Sequence, residues 1–141
     1  MKYAILILLM IVASCAKTPH QSVQHSPNET VVHYHGGGNI PAVMHQINTM
    51  RQPIKVSGLC ASTCTYALAF QDTCVTKNAQ FIFHAPRMPN GDISNAWLYP
   101  MANWYNPKLR AWFLKRVEDD KDKDYELRGY DLIDNFNIKE C

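Results

Sequence analysis

Internal repeats, paired CxxC knuckles, a second membrane-length apolar run and any marked excess of one charge are all missing from this sequence. With no repeat, 141 residues make one domain the default, with a core that is adequate but small. A net charge of +2 supplies no electrostatic footprint for nucleic acid or for a strongly acidic partner. Five cysteines without a knuckle pair, one of them at position 141, do not compose a zinc site. The triplet Gly36-Gly37-Gly38 is not followed by Lys-Ser/Thr, which rules out a P-loop. What remains, 47% hydrophobic and 11% aromatic, is the composition of a folded protein rather than a disordered one.

The N-terminus carries the first positive signal. Lys2 precedes an apolar run from Tyr3 to Val12, too short to span a bilayer well and of the right length for an export signal. The run closes on Val12-Ala13-Ser14-Cys15, which resembles a bacterial lipobox. The expectation is a lipoprotein-type signal over 1–15, with Cys15 lipidated and anchored in the membrane; the alternative is an ordinary cleaved signal with an incidental cysteine. Ala16 rather than aspartate after the cysteine favours the outer membrane, the protein facing the periplasm. Residues 16–29, rich in Ser, Pro, Gln, His and Asn, are expected to be a flexible tether, leaving 30–141 as the domain. Export implies an oxidising compartment, so Cys60, Cys64, Cys74 and Cys141 are disulfide candidates, two bonds with three connectivities open.

Within the domain, Thr30–His35 is a β-rich run, followed by the glycine loop. Asn39 is placed to cap a helix with Pro41 in its first turn and Ile40, Val43, Met44, Ile47 and Met50 on one face. Ile54–Val56 is a second strand, Gly58 a turn, and Cys60 to about Phe70 a helix of small and apolar residues. Gln80–His84 is a third strand. The alternation of strand and helix predicts an α/β fold around a mostly parallel sheet. The remainder is expected to be mostly helical: Asn95–Asn103, a helix begun by Asn106-Pro107 with Leu109, Trp112, Phe113 and Val117 on one face, a charged helix end over Glu118–Asp124, and Gly129–Asn135.

Two stretches carry candidate chemistry. Val56-Ser57-Gly58-Leu59-Cys60-Ala61-Ser62-Thr63-Cys64 delivers a serine to a helix start, where free N–H groups favour a developing oxyanion. Phe81-Ile82-Phe83-His84-Ala85-Pro86 delivers a histidine at a strand end, a general base if it comes within reach. Other candidates are weaker. His33 and His35, expected on one face of a strand, could join His45, His20 or His25 on a metal, but without a carboxylate in register they imply no metal site. Trp97, Tyr99, Trp104 and Tyr105 suit core packing better than a peptide groove. Oxidised Cys60 and Cys64 would be inert as nucleophiles.

The order of these parts resembles the Clp protease proteolytic subunit and its exported relatives, serine hydrolases of the Clp/crotonase fold. Gly37-Gly38-Asn39-Ile40 with Ala42, Met44, Thr49 and Met50, then Gly58-Leu59-Cys60-Ala61-Ser62, then Phe83-His84-Ala85-Pro86, carry the likeness, as does the tail from Asp124 through Leu127 to Ile138. The resemblance implies Ser62 as nucleophile, His84 as general base, and an oxyanion hole of the Gly38 and Thr63 N–H groups. For the third member it selects Asp124, with Asp119, Asp120, Asp122, Asp131 and Asp134 as neighbouring alternatives. It implies no cofactor, a peptide or unfolded protein segment as substrate, and self-association as family members show. An exported chain with a tether in place of the family's ATPase-contacting segment is expected to work without an ATPase partner. The alternative is a catalytically inactive lipoprotein of the same fold that binds or supports another molecule.

Overall fold

The computed structural model describes residues 21–141. The expected signal segment 1–15, lipidated Cys15 and residues 16–20 of the tether lie outside the described residues. Two apolar strands make the middle of the sheet: β2 (Thr30–His35) runs parallel to β3 (Ile54–Ala61), burying Val32, Ile54 and Val56. Between them lies helix α1 (Ile40–Asn48). Asn39 Oδ1 accepts the Ala42 N–H at 3.1 Å, Pro41 sits in the first turn, and Val43 and Ile47 are buried against the sheet, as the periodicity predicts.

A 3-10 helix (Ser62–Ala69) leaves the end of β3 and returns to the short strand β4 (Cys74–Val75) and then to β5 (Gln80–Phe83). Both β4 and β5 lie parallel to β3, β4 along its start and β5 along its end. Helices α2 (Asn95–Ala102) and α3 (Pro107–Asp119) follow. α3 is capped by the Asn106 side chain and buries Leu109, Phe113 and Val117. Strand β6 (Tyr125–Arg128), helix α4 (Gly129–Phe136) and strand β7 (Lys139–Glu140) complete the chain. Strand β1 (Ser22–His25) begins the described chain, antiparallel to β2. The seven-stranded sheet is thus mixed but mostly parallel; only β1 against β2 and β6 against β5 run antiparallel. Fully buried Phe81, Phe83, Phe113, Leu109 and Leu132 form the core of one α/β domain.

Five expectations need correction. Ser22–His25, expected as tether, is a strand; the open edge of β2 recruits it by backbone hydrogen bonds and half-buried Val23 packs on the core, which three exposed polar side chains do not announce. Gly58 is not a turn but lies inside β3, facing a register shift between Val32 and Tyr34; a Cβ there would fall 1.9 Å from the His33 carbonyl oxygen. The same bulge separates the two histidines, leaving His33 exposed and His35 fully buried. Cys60 and Ala61 belong to β3 rather than to the following helix, because their backbone pairs with Phe81 and Ile82 of β5. Finally, β6 is a strand within a stretch expected to be mostly helical; Tyr125 and Leu127 are half-buried and Glu126 and Arg128 exposed, a period of two hidden among charges.

The four cysteines pair as Cys60–Cys64 and Cys74–Cys141, with Sγ–Sγ separations of 2.03 and 2.23 Å. Two disulfides suit an oxidising compartment. Among the described residues no helix is long and apolar enough to cross a membrane.

Candidate active site

The parallel arrangement of β2, β3 and β5 sends three chain segments out of the sheet at one end: the glycine loop after β2, Ser62 after β3 and His84 after β5. Ligand sites of open α/β sheets form outside such carboxyl ends. Here Gly38, Ile40, Ser62, Thr63, His84, Pro86, Arg87 and Met101 line one cavity of about 190 Å³. The structure therefore brings four of the sequence-derived positions, Gly38, Ser62, Thr63 and His84, to a single hollow.

Ser62 stands at the junction of β3 and the 3-10 helix with φ of 56°, one of two non-glycine residues at positive φ among those described. A serine there is strained by about 1–3 kcal/mol, a cost that the surrounding structure must hold. Three contacts do so. The Cys60–Cys64 bond closes a short ring around it, with a Cα–Cα distance of 5.3 Å. Thr65 Oγ1 donates to the Ser62 carbonyl at 2.7 Å. Gly37, with φ of 81°, passes so close that a Cβ on it would lie 2.7 Å from both Ser62 Cβ and the Ala61 carbonyl oxygen.

The two residues whose N–H groups are expected to form an oxyanion hole are tied together through other atoms. Buried Thr63 donates its hydroxyl proton to the Gly38 carbonyl at 2.9 Å, pinning the glycine loop to the helix start. Thr63 N–H lies in the first turn, where no intrahelical acceptor exists. The loop is held from behind by His35. Its Nδ1 accepts the Gly37 N–H at 3.1 Å and its Nε2 lies 3.2 Å from Gln46 Oε1, so the network assigns the neutral tautomer with the proton on Nε2. Burial pushes the His35 pKa below its ordinary value, partly offset by the Gln46 bond.

Half-buried His84 has its Nδ1 2.7 Å from the Ala85 carbonyl oxygen. A carbonyl only accepts, so Nδ1 carries the proton and Nε2 keeps the lone pair that a general base needs. No carboxylate lies within ion-pair distance of His84 among the described residues. Asp124 is exposed and makes no bond to it. Yet the last β5–β6 pair is Phe83 with Tyr125, so His84 and Asp124 leave the antiparallel ladder at the same end. The rival aspartates are engaged elsewhere or face solvent. Asp119 pairs with Lys115, Asp120 Oδ1 accepts from the Asp122 N–H, and Asp122 pairs with Arg87 at 3.6 Å. Asp131 caps α4 by accepting the Arg128 N–H at 2.9 Å, and Asp134 is exposed.

Sequence reasoning missed one Ser–His contact: Ser57 Oγ lies 2.9 Å from His33 Nδ1 on adjacent strands. The bulge in β2 brings them together, a feature without a sequence signature, and neither residue lines any of the main cavities. Wider clefts of about 420 and 590 Å³ lie beside Trp104 and between α2 and α3, but no histidine lines either. Of the aromatic quartet, Trp104 and Tyr105 are in the core, whereas Tyr99 is 66% exposed and Trp97 lines a groove with Ile40, Pro41 and Pro89 that adjoins the Ser62 cavity. No group of three or more His, Cys, Asp or Glu able to hold a metal occurs among the described residues.

Neither a scan against protein-family models nor a search of curated proteins finds a match to this chain.

Proposed function

We propose that this protein is a serine hydrolase of the Clp/crotonase type, an ATP-independent peptidase exported to the cell envelope and anchored through lipid on Cys15. The observation that carries the reading is the convergence of a strained Ser62, His84 with its Nδ1 on a carbonyl, and the backbone of Gly38 and Thr63 on one cavity. Ser62 Oγ attacks the scissile carbonyl, His84 Nε2 takes its proton and later returns it to the leaving amine, and the Gly38 and Thr63 N–H groups hold the oxyanion. Asp124, at the same end of the β5–β6 ladder, completes the triad when the loop before β6 turns inward. The Ala85 carbonyl meanwhile sets the tautomer. Peptides and unfolded segments are the substrates, since a half-open cavity beside an apolar groove suits extended chain.

One observation favours a second reading, an inactive binding module: His84 is oriented by a neutral carbonyl rather than by a carboxylate. A fluorophosphonate probe with peptide mapping separates the two. Covalent adduct on Ser62 in the oxidised protein, lost in Ser62→Ala and in His84→Ala, is expected. Absence of adduct under oxidising and reducing conditions refutes the hydrolase.

A further inference from the structure

The carbonyl of Ser62 is the end of a buried polar chain that the hydrolase mechanism does not itself require. Thr65 Oγ1 lies 2.7 Å from the Ser62 carbonyl oxygen and 2.7 Å from the Tyr105 hydroxyl. A carbonyl only accepts, so the single Thr65 proton goes to Ser62, and the Tyr105 hydroxyl must donate to Thr65. Every bond in the chain then has one direction, from Tyr105 to Thr65 to Ser62. Thr65 is fully buried and Tyr105 is 2% exposed, so water does not compete for these groups. Burial drives the Tyr105 pKa far above its ordinary value, partly offset by the Thr65 bond, and the phenol keeps its proton throughout the working pH range.

The ring of Tyr105 meets the other half of the site. It stands edge-on to Phe83 at 5.5 Å between centroids, and Phe83 is the residue that precedes His84. Phe113 of α3 packs on the ring at 5.4 Å, and the Tyr105 backbone carbonyl accepts from Arg110 Nη2 at 3.3 Å, so ring and main chain are each held from behind. One residue therefore grips the segment that carries the nucleophile through its hydroxyl and the segment that carries the base through its ring.

We infer that Tyr105, acting through Thr65, is a positioning residue that holds Ser62 in its left-handed conformation and sets it against His84. The inference rests on the hydrolase reading for its kinetic consequence but not for its geometry. Tyr105→Phe keeps the ring and removes the donor; Thr65→Val removes the relay; Thr65→Ser keeps the relay hydroxyl. Labelling by a fluorophosphonate, followed against probe concentration, resolves the maximal rate from the half-saturating concentration. Expected is a maximal rate lowered about fivefold in Tyr105→Phe and about tenfold in Thr65→Val, with half-saturation unchanged and Thr65→Ser restored to near the wild-type rate. A purely structural role would not distinguish Thr65→Ser from Thr65→Val in this way.

A second measurement is independent of activity. In protein labelled with 13C at serine and alanine carbonyls, the Ser62 carbonyl resonance moves in Tyr105→Phe and Thr65→Val, while those of Ala42 and Ala79 stay in place. Unchanged maximal rates in both variants, or a Ser62 resonance that moves in neither, overturn the inference. A wild-type protein that takes no label refutes the hydrolase reading alone, and the carbonyl resonance then decides the relay by itself.

Discussion

Replacing Gly37 by alanine inserts one methyl group at the most crowded point of the site. The new Cβ lies 2.7 Å from the Ala61 carbonyl oxygen, 2.7 Å from Ser62 Cβ and 3.1 Å from Thr63 N. Ordinary contacts begin near 3.4 Å, so the glycine loop and the Ser62 turn must separate by roughly 0.7 Å at the two closest contacts. All three struck groups belong to the serine segment, two of them backbone, so none can swing aside as a side-chain tip would. Positive φ at Gly37, 81°, adds about 1–2 kcal/mol of strain for an alanine. Since misplacing a reacting group by about 1 Å costs on the order of a hundredfold in rate, Gly37→Ala is expected to slow Ser62 labelling by roughly ten- to a hundredfold. Gly91→Ala is the control: φ there is 89°, but nothing lies within 4 Å of the added Cβ. It incurs the same backbone strain without displacing the serine. Fluorophosphonate labelling with urea unfolding measures both quantities for both variants. Equal loss of labelling in Gly37→Ala and Gly91→Ala, or none in Gly37→Ala, would refute the steric account.

Three further outcomes are expected. His35 has a folded pKa below the 6.5 of an unperturbed histidine, so below about pH 6.5 the unfolded chain binds more protons and stability falls with pH until the folded pKa is passed; urea midpoints measured down to pH 4.5 show this limb, and His35→Gln lessens it. The Cys74–Cys141 bond spans a sequence separation of 67 and the Cys60–Cys64 bond one of 4, so chain entropy assigns about 4 and about 2 kcal/mol to them; denaturation of the Cys74→Ser/Cys141→Ser and Cys60→Ser/Cys64→Ser double variants reads the difference. Phe113→Ala, at a fully buried position on α3, lowers stability by about 3–5 kcal/mol in the same assay, enough to consume much of a small domain's margin.

What the sequence made legible follows from the reach of its signals. α1 and α3 were visible because a polar cap, an early proline and a 3.6-residue apolar stripe all agree at Asn39–Ile47 and Asn106–Val117. Ser62 and His84 could be named in advance as a serine at a helix start and a histidine at a strand end, Gly38 and Thr63 followed only from the family resemblance, and the parallel strands bring the four together. β1 escaped notice because backbone pairing and one half-buried side chain, Val23, hold it, too little for an apolar pattern. β6 escaped because its alternation, Tyr125 and Leu127 against Glu126 and Arg128, is only four residues long and follows a run of charges. The contrast between buried His35 and exposed His33 depends on a bulge opposite Gly58, where glycine was first read as a turn signal. The carbonyl partner of His84 is backbone, and no side-chain pattern encodes it.

Cys74 and Cys141 make the second half of the chain a closed loop, and that alters how damage to this protein would be seen. His84, the exposed tip around Met88–Gly91 and Asp124 all lie within that loop. Exposed tips of this kind are where proteases nick. A cut after Asn90 would sever the main chain between the segment bearing Ser62 and His84 and the segment bearing Tyr105, yet the sulfur link would keep both pieces in one molecule. Such a protein would migrate as intact until reduced, its Ser62 and Tyr105 segments held in one molecule across a broken backbone.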